Sequence, residues 1–356
     1  MGPLVTVLIS ARNAAGTLGN AIGSIVRQSL TDIEIILIND GSTDETETVI
    51  RSWDDPRIRY VRNPTNIGLT ASLNGGLRIA RGSFIARLDA DDVADPGRLA
   101  VQAAFLQKSQ DYVIVGSSVR TFCLRTGRTG YAHLPETDRE IRHYLLAAPP
   151  FAHPAVMFRA DVVRSIGLYY DESMRYAQDY DFWIRILRHG LGYNFSRPLT
   201  TLGMGPGQIG VRHHQAQATT AVEKAGVYFG ETLRMSGEER AAAGSYLLSC
   251  LMAEHAALSR LRRCKRVLNK ILWADRDVPS IGKLRVLAGS RGKLASLFVF
   301  SPVRERRPAA KAWHIMCAAV AWPTGLALAA AYRLRMASYV SLSRLWRRQS
   351  SRERVV

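Results

Sequence analysis

The chain has 356 residues, 47% of them apolar, enough to build a sizeable core as one domain with an appendage or as two domains. Its four cysteines lie far apart and form no Cys-x-x-Cys pair, which argues against a disulfide framework or zinc site and indicates reduced thiols. The net charge of +18 comes entirely from residues 260–356, where 22 Lys and Arg face 4 Asp and Glu, whereas residues 1–259 contain 26 of each sign. This asymmetry predicts a C-terminal region with its own anionic partner, either a membrane surface or a nucleic acid.

The chain begins with a β-rich run at residues 5–9, so we expect a strand at its start and no signal peptide. Apolar side chains then recur at helical spacing at Leu18, Ile22 and Ile25. A second apolar run at residues 33–38 predicts another buried strand, and the polar residues that follow it include Asp40.

The segment after this second strand carries the signals of a helix start. Ser42 followed three residues later by Glu45 fits a capping box, which predicts a helix extending to about Trp53. Residues 58–61 then indicate a third strand.

Alternation of strands and helices continues up to Asp89. Leu69, Leu73 and Leu77 form one apolar stripe of a helix that Gly82 ends, and a fourth strand leads into Asp89. Such alternation predicts an α/β fold with a mostly parallel sheet flanked by helices. Ligands of these sheets bind beyond the carboxyl ends of the strands, where Asp40 and Asp89 are both expected.

Three carboxylates lie close together just after the fourth strand, in the sequence Asp89-Ala90-Asp91-Asp92. Hard cations such as Mg²⁺ and Mn²⁺ prefer oxygen ligands and often bind through one or two carboxylates plus substrate phosphates. The spacing alone also fits a solvated turn, so its meaning depends on the motifs around it.

The remaining chain divides by composition. Residues 111–220 mix short strands with Pro- and Gly-rich connections, and residues 221–356 are expected to form a helical, basic C-terminal extension. Within this extension, residues 312–332 carry no formal charge and are flanked by arginines. A membrane-associated segment that lies on or spans the bilayer is one interpretation, and a soluble core helix is the other.

Four motifs occur in a fixed order along the chain. They occupy residues 38–44, 66–69, 88–92 and 178–185. Their content, order and spacing closely resemble the inverting glycosyltransferases with the GT-A fold, called family 2. The resemblance covers residues 4–220 and implies a GT-A (Rossmann-like) glycosyltransferase domain at residues 1–220, with a nucleotide-sugar half at 1–110 and an acceptor half at 111–220.

The resemblance assigns the donor-binding residues. Asp40 matches the contact to the nucleotide base, and Asp91 matches the ligand of a divalent metal, Mn²⁺ or Mg²⁺, with Asp89 supporting the metal or binding ribose. Such an ion bridges the two phosphates of the donor and neutralises charge on the departing nucleotide.

The resemblance places Asp179 at the position of the general base. Transfer with inversion needs one carboxylate that takes the proton of the acceptor hydroxyl as its oxygen attacks C1. Many family members have Glu-Asp here, whereas this chain has Gln178-Asp179, so the aspartate is kept and the charge of its neighbour is lost. A helix-capping role is the alternative for Asp179.

Arg212 and His214 match a looser pattern of the family, in which Arg-x-His is followed by Gln and Ser or Thr. This similarity implies that Arg212 contacts the donor diphosphate and that His214 contacts the metal. A structural or solvent-facing role of the histidine pair is equally compatible with the sequence.

The sequence therefore predicts a glycosyltransferase that moves a sugar from a nucleotide-diphosphate donor to a polysaccharide or lipid-linked saccharide. The alternative is a catalytically inactive nucleotide-sugar or carbohydrate-binding protein of the same fold, against which the intact Asp40, Asp91 and Asp179 argue. We expect a cytoplasmic protein that binds the anionic inner face of a membrane through its C-terminal region. No nucleic-acid motif accompanies the basic residues, so we expect no nucleic-acid partner.

Overall fold

The structure is a computed structural model of the chain. It describes residues 2–145, 149–174, 176–205 and 220. All of them lie within the first of two units of the chain, Met1–Tyr228. Residues 221–356, including the segment 312–332, lie outside the described residues, and so do Arg212 and His214. The predicted division of the chain at residue 220 stays a prediction.

The strands in the described part of the chain form one sheet of nine strands, in the order β3-β2-β1-β4-β8-β6-β9-β5 with β7 paired to β6. They are β1 (Val5–Ala11), β2 (Ile33–Asp40), β3 (Ile58–Asn63), β4 (Phe84–Arg87), β5 (Val93–Ala94), β6 (Tyr112–Cys123), β7 (Thr129–Ala132), β8 (Met157–Arg159) and β9 (Leu191–Met204).

Helices connect these strands and flank the sheet. They are α1 (Ala15–Val26), α2 (Thr46–Arg51), α3 (Leu69–Ile79), α4 (Arg98–Lys108), α5 (Asp138–Tyr144), α6 (Ala160–Ser165) and α7 (Gln178–Ile186), with a 3₁₀ turn at His153–Ala155. The predicted α/β class with a helix-flanked sheet is confirmed.

The first half of the sheet is parallel, as the alternating pattern predicted. β1 pairs in parallel with β2 and β4, and β2 pairs in parallel with β3. Every residue of β1 and β2 is buried, which is typical of parallel strands that are covered on both faces. Leu18, Ile22 and Ile25 of α1 belong to the core that covers one face.

The second half of the sheet is mixed rather than parallel. β8 pairs antiparallel with β4 and β6, whereas β6 and β9 are parallel. β6 and β7 are antiparallel because only five residues join them, too few for a crossover between parallel strands. The sheet is therefore parallel among β1 to β4 and between β6 and β9, and the antiparallel strands are β5, β7 and β8.

The capping box predicted at the start of α2 does not form. Ser42 Oγ instead accepts a hydrogen bond from the backbone of Asn13 at 3.1 Å, and Glu45 accepts one from Thr48 Oγ1 at 2.7 Å. Asp44 takes the capping role, because its Oδ1 accepts from the Thr46 N–H at 3.1 Å. The helix ends at Arg51, two residues before the predicted end.

Helix α3 lies tightly against β1 at one glycine. A Cβ atom on Gly76 would lie 2.2 Å from Leu8 Cδ1 and 3.1 Å from Ile38 Cδ1, and both side chains are buried. A Cβ atom on the neighbouring Gly75 would have no atom within 4 Å. Gly76 therefore sets the distance between α3 and the sheet, and Gly75 does not.

These adjacent glycines provide a matched test of helix packing. Gly76→Ala should lower the free energy of unfolding by about 1–3 kcal/mol, because the added methyl group overpacks the core. Gly75→Ala should raise it by about 0.5–1 kcal/mol, because alanine is the better helix former. Urea unfolding of both variants measures the difference, and equal effects would contradict the close contact of Gly76 with β1.

Candidate active site

The loops that follow β1 and β2 are joined by hydrogen bonds between side chains and backbone. Asn13 Oδ1 accepts from the Thr43 N–H at 2.9 Å, and Thr46 Oγ1 accepts from the Ala14 N–H at 2.8 Å. Gly41 has a φ of +61°, and a Cβ atom there would lie 2.4 Å from the backbone nitrogen of Asn66. Glycine at this position therefore lets the loop before α3 approach the end of β2.

Asp40 is buried at the end of β2 and holds the loop before α3. Its Oδ1 accepts from the Ile67 N–H at 2.9 Å and from Asn63 Nδ2 at 3.0 Å, and its Oδ2 accepts from the Gly68 N–H at 3.0 Å. A carboxylate offers about four acceptor positions, so one position remains for a ligand. The predicted contact to the nucleotide base stays a prediction.

The loop-holding role of Asp40 can be tested by a single atom exchange. Asp40→Asn replaces one acceptor oxygen with an amide that faces backbone N–H groups, and this should cost about 1–3 kcal/mol of unfolding free energy. Asp54→Asn, which changes an exposed carboxylate, is the matched control and should leave the unfolding midpoint unchanged. Equal midpoints for the two variants would show that Asp40 does not stabilise this loop.

The acidic loop after β4 places its three carboxylates in different environments. Asp92 is buried and accepts from the Gly203 N–H at 2.8 Å, whereas Asp89 and Asp91 are partly exposed. Burial, followed by the negative charges of Asp89 and Asp91, raises the pKa of Asp92 to about 8. The raised pKa of Asp92 favours its protonated form, and Asp89 and Asp91 are the carboxylates of this loop that reach the surface.

A buried guanidinium lies behind this loop. Arg87, the last residue of β4, donates to Asp89 Oδ1 and to the carbonyl of Leu88, and 1% of its side chain is exposed. Its Nε has no hydrogen-bond partner among the described residues. Sequence analysis missed Arg87, although a charged residue at the end of an otherwise apolar strand was a signal for it.

Asp179 lies in the first turn of α7, directly after a strained residue. Ala177 adopts a left-handed conformation with φ +56° and precedes the helix. Burial, and to a smaller degree the nearby charge of Asp89, raises the pKa of Asp179, although backbone hydrogen bonds and Arg87 oppose the shift. The structure thus brings Asp89 and Asp179 into electrostatic contact from distant parts of the sequence.

A histidine–tyrosine pair adjoins these two carboxylates. His153 Nε2 lies 3.0 Å from the hydroxyl oxygen of Tyr170, and the rings of His153 and Trp183 are in edge-on contact. Burial lowers the pKa of His153 to about 3, so the imidazole is neutral. The charges of Asp89 and Asp179 act on Tyr170, whose pKa is raised mainly by burial.

The acidic loop after β4 is the candidate position for a divalent ion. No three His, Cys, Asp or Glu side chains within this part of the chain converge on one ion position. Two charged carboxylates, Asp89 and Asp91, nevertheless supply the hard oxygen ligands that suit Mg²⁺ or Mn²⁺ when substrate phosphates complete the coordination. The residues present therefore fit an ion that is bound together with a diphosphate.

The chain is similar in sequence to a known family of enzymes. The sequence model of the family described as Glycosyl transferase family 2 matches residues 6–167. EpsE of Bacillus subtilis, a provisionally named glycosyltransferase, is 36% identical over 203 residues, which are 56% of this chain and 72% of EpsE. The chain belongs to glycosyltransferase family 2. The resemblance found in the four sequence motifs is thereby confirmed, and the protein is a glycosyltransferase.

A second relative has a named substrate. The UDP-Gal:α-D-GlcNAc-diphosphoundecaprenol β-1,3-galactosyltransferase of Escherichia coli is 30% identical to the glycosyltransferase described here over 190 residues. The match covers 52% of this chain and 68% of the E. coli enzyme.

Two solved structures share the fold. TarS 1-349 of S. aureus in complex with UDP-GlcNAc has a TM-score of 0.57 at 16% identity, covering 91% of this chain and 92% of TarS. The mannosyltransferase PcManGT of Pyrobaculum calidifontis in complex with GDP-Man and Mn²⁺ has a TM-score of 0.50 at 19% identity, covering 91% and 88%. The predicted GT-A fold class is thereby confirmed for this glycosyltransferase.

Proposed function

We propose that this glycosyltransferase transfers a sugar with inversion from a nucleotide-diphosphate donor to a hydroxyl group of a lipid-linked saccharide or polysaccharide. The observation that carries the proposal is the family match over residues 6–167, which includes Asp89 at the end of a donor-side strand; Asp179 lies at the start of α7, near enough for the charge of Asp89 to help raise its pKa. One carboxylate on the donor side and one on the acceptor side suit a single displacement at C1.

In the proposed reaction, Asp179 is the general base. It takes the proton of the acceptor hydroxyl while that oxygen forms a bond to C1, and the bond between C1 and the diphosphate oxygen breaks. The nucleoside diphosphate leaves with the bonding electrons. The raised pKa of Asp179 makes its carboxylate a stronger base than an ordinary aspartate, which favours this proton transfer.

Donor binding is proposed to involve Asp40, Asp89 and Arg212, with Asp91 and His214 holding Mn²⁺ or Mg²⁺. The ion supplies positive charge that neutralises the departing diphosphate. Complexes of related folds with UDP-GlcNAc and with GDP-Man and Mn²⁺ support a nucleotide-sugar donor and a divalent ion. A screen of UDP- and GDP-sugars for release of nucleoside diphosphate would identify the donor.

The acceptor and location are proposed from the relatives and the charge pattern. The E. coli relative acts on a diphosphoundecaprenol-linked sugar, and a relative from Erwinia amylovora is named for amylovoran biosynthesis. We propose a lipid-linked acceptor at the cytoplasmic face of a membrane, to which the basic residues after 259 bind. No helix within the described residues is long and apolar enough to span a bilayer.

The metal assignment predicts loss of activity on chelation. Excess EDTA and Asp91→Ala should each lower donor turnover by roughly 100-fold or more, because charge on the departing diphosphate is no longer neutralised. Asp54→Ala, at an exposed aspartate, is the control and should keep full activity. The readout is release of nucleoside diphosphate, and full activity in EDTA would refute the metal requirement.

The base assignment predicts a defect in rate and not in donor affinity. Asp179→Asn removes the proton acceptor at nearly constant size and should lower kcat by about 10²–10⁴-fold. Asp181→Asn is the control, because Asp181 lies in the same helical turn and its Oδ2 accepts from Arg185 Nε at 2.8 Å. This substitution should mainly lower the stability of the protein.

Two measurements can contradict this assignment. If Asp179→Asn lost donor binding but kept its rate on bound donor, Asp179 would be a donor ligand and not the base. NMR of the new linkage should show the inverted anomer, β from an α-linked donor, and retention would exclude the single displacement.

A further inference from the structure

The hairpin formed by β6 and β7 presents exposed apolar side chains on one face. Arg120 lies opposite Tyr131, and Phe122 lies opposite Thr129. Because residues directly opposite each other share a face, as do alternate residues of one strand, Phe122, Thr129 and Tyr131 lie on the same face. Leu124 follows at the end of β6. Tyr131 is 66% exposed and Leu124 is 49% exposed.

Positive charge surrounds these apolar side chains. Arg120, Arg125 and Arg128 lie in or beside the hairpin, and residues 112–135 contain no Asp or Glu. Arg125 and Arg128 are exposed at the hairpin turn. Aromatic and aliphatic side chains combined with arginines are typical of surfaces that bind the interface of an anionic bilayer. Arg120 also forms an ion pair with Asp95 at 3.7 Å, so Arg125 and Arg128 are the arginines considered for this contact.

The hairpin is also continuous with the acidic loop of the site. A Cβ atom on Gly203 would lie 2.2 Å from the carbonyl oxygen of Asp91 and 3.7 Å from Leu124 Cδ2. The Leu124 N–H donates to the carbonyl of Met204 at 3.0 Å. Leu124 and Asp91 therefore both lie beside Gly203. A lipid surface that contacts Leu124 would lie next to the acidic loop.

We propose that the hairpin face made of Phe122, Leu124, Tyr131, Arg125 and Arg128 docks on an anionic lipid surface. Charge complementarity selects this partner, because the face combines apolar side chains with positive charge and contains no acid. Docking there brings the acidic loop next to the bilayer, where a lipid-linked acceptor would be. The placement of the acidic loop beside a lipid-linked acceptor rests on the proposed function. Binding of the hairpin face to an anionic lipid surface does not.

The contact is tested with a fluorescent label placed in the full chain. The four natural cysteines are replaced by serine, and a bimane label is attached to Thr129→Cys on the hairpin face. The matched control carries the label at Val101→Cys, an exposed apolar position on α4. Vesicles of phosphatidylglycerol and phosphatidylcholine with brominated acyl chains should quench the label at position 129 and not the label at position 101.

Charge variants test the arginines. The double variant Arg125→Glu and Arg128→Glu should weaken affinity for these vesicles by roughly 30-fold or more, since each arginine near the surface adds about fivefold. The control double variant, Arg51→Glu and Lys108→Glu, makes the same change in net charge at exposed helix ends. It should weaken affinity for the vesicles less than threefold. Unchanged unfolding midpoints show that both double variants remain folded.

Two results would overturn the proposal. An unquenched label at position 129 on vesicle-bound protein would place the membrane contact elsewhere in the chain. Association of the protein without lipid, lost in the Arg125→Glu and Arg128→Glu variant, would make the face an interface between copies of the chain. Neither readout uses turnover, so failure of the proposed reaction would leave the quenching result intact.

Discussion

One buried guanidinium, that of Arg98, bonds the end of β4 to the segment before β8 and so supports the direct pairing of the two halves of the sheet. It is fully buried, and its Nη2 donates to the carbonyl oxygens of Arg87 at 2.7 Å and Val156 at 3.0 Å. Gln102, one turn later in α4, accepts from Arg98 Nε and donates to the carbonyl of Ala155 at 2.8 Å. Burying a charge costs several kcal/mol unless such bonds offset it. These bonds fix the end of β4 against the segment that carries His153.

The position of Asp179 follows from this arrangement together with local backbone strain. Ala177 adopts a left-handed conformation, and its methyl side chain offers no hydrogen bond that would stabilise it. Such a conformation costs about 1–3 kcal/mol and persists only when surrounding contacts impose it. Packing of Tyr180, Phe182 and Trp183 into the core supplies these contacts. The core of the acceptor half thus holds the start of α7, and with it the carboxylate of Asp179, beside the end of β4.

The sequence predicted the features that depend on local pattern and missed those that depend on distant contacts. The strands and helices up to β4 were predicted because their periodicity is local, and the acidic loop was identified because it directly follows a strand. The bonds that Ser42 and Asp44 accept from the loop after β1, the mixed pairing of β6 to β9 and the buried Arg98 depend on partners far away in the chain. Their side chains look ordinary in the sequence, so only the structure identifies them.

The charge balance of the site supplies a physical reason for a divalent cation. The loop after β4 and the start of α7 gather the carboxylates of Asp89, Asp91 and Asp179, and burial together with neighbouring charges raises the pKa of Asp92 to about 8. Arg87 is paired with Asp89, and Arg98 is occupied by backbone carbonyls, so neither presents a cation to a ligand. A donor diphosphate adds further negative charge beside Asp91, and like charges at such a distance repel strongly where the dielectric constant is low. Binding of a diphosphate at this loop would therefore need positive charge from outside these residues, and the divalent ion proposed at Asp91 would supply it.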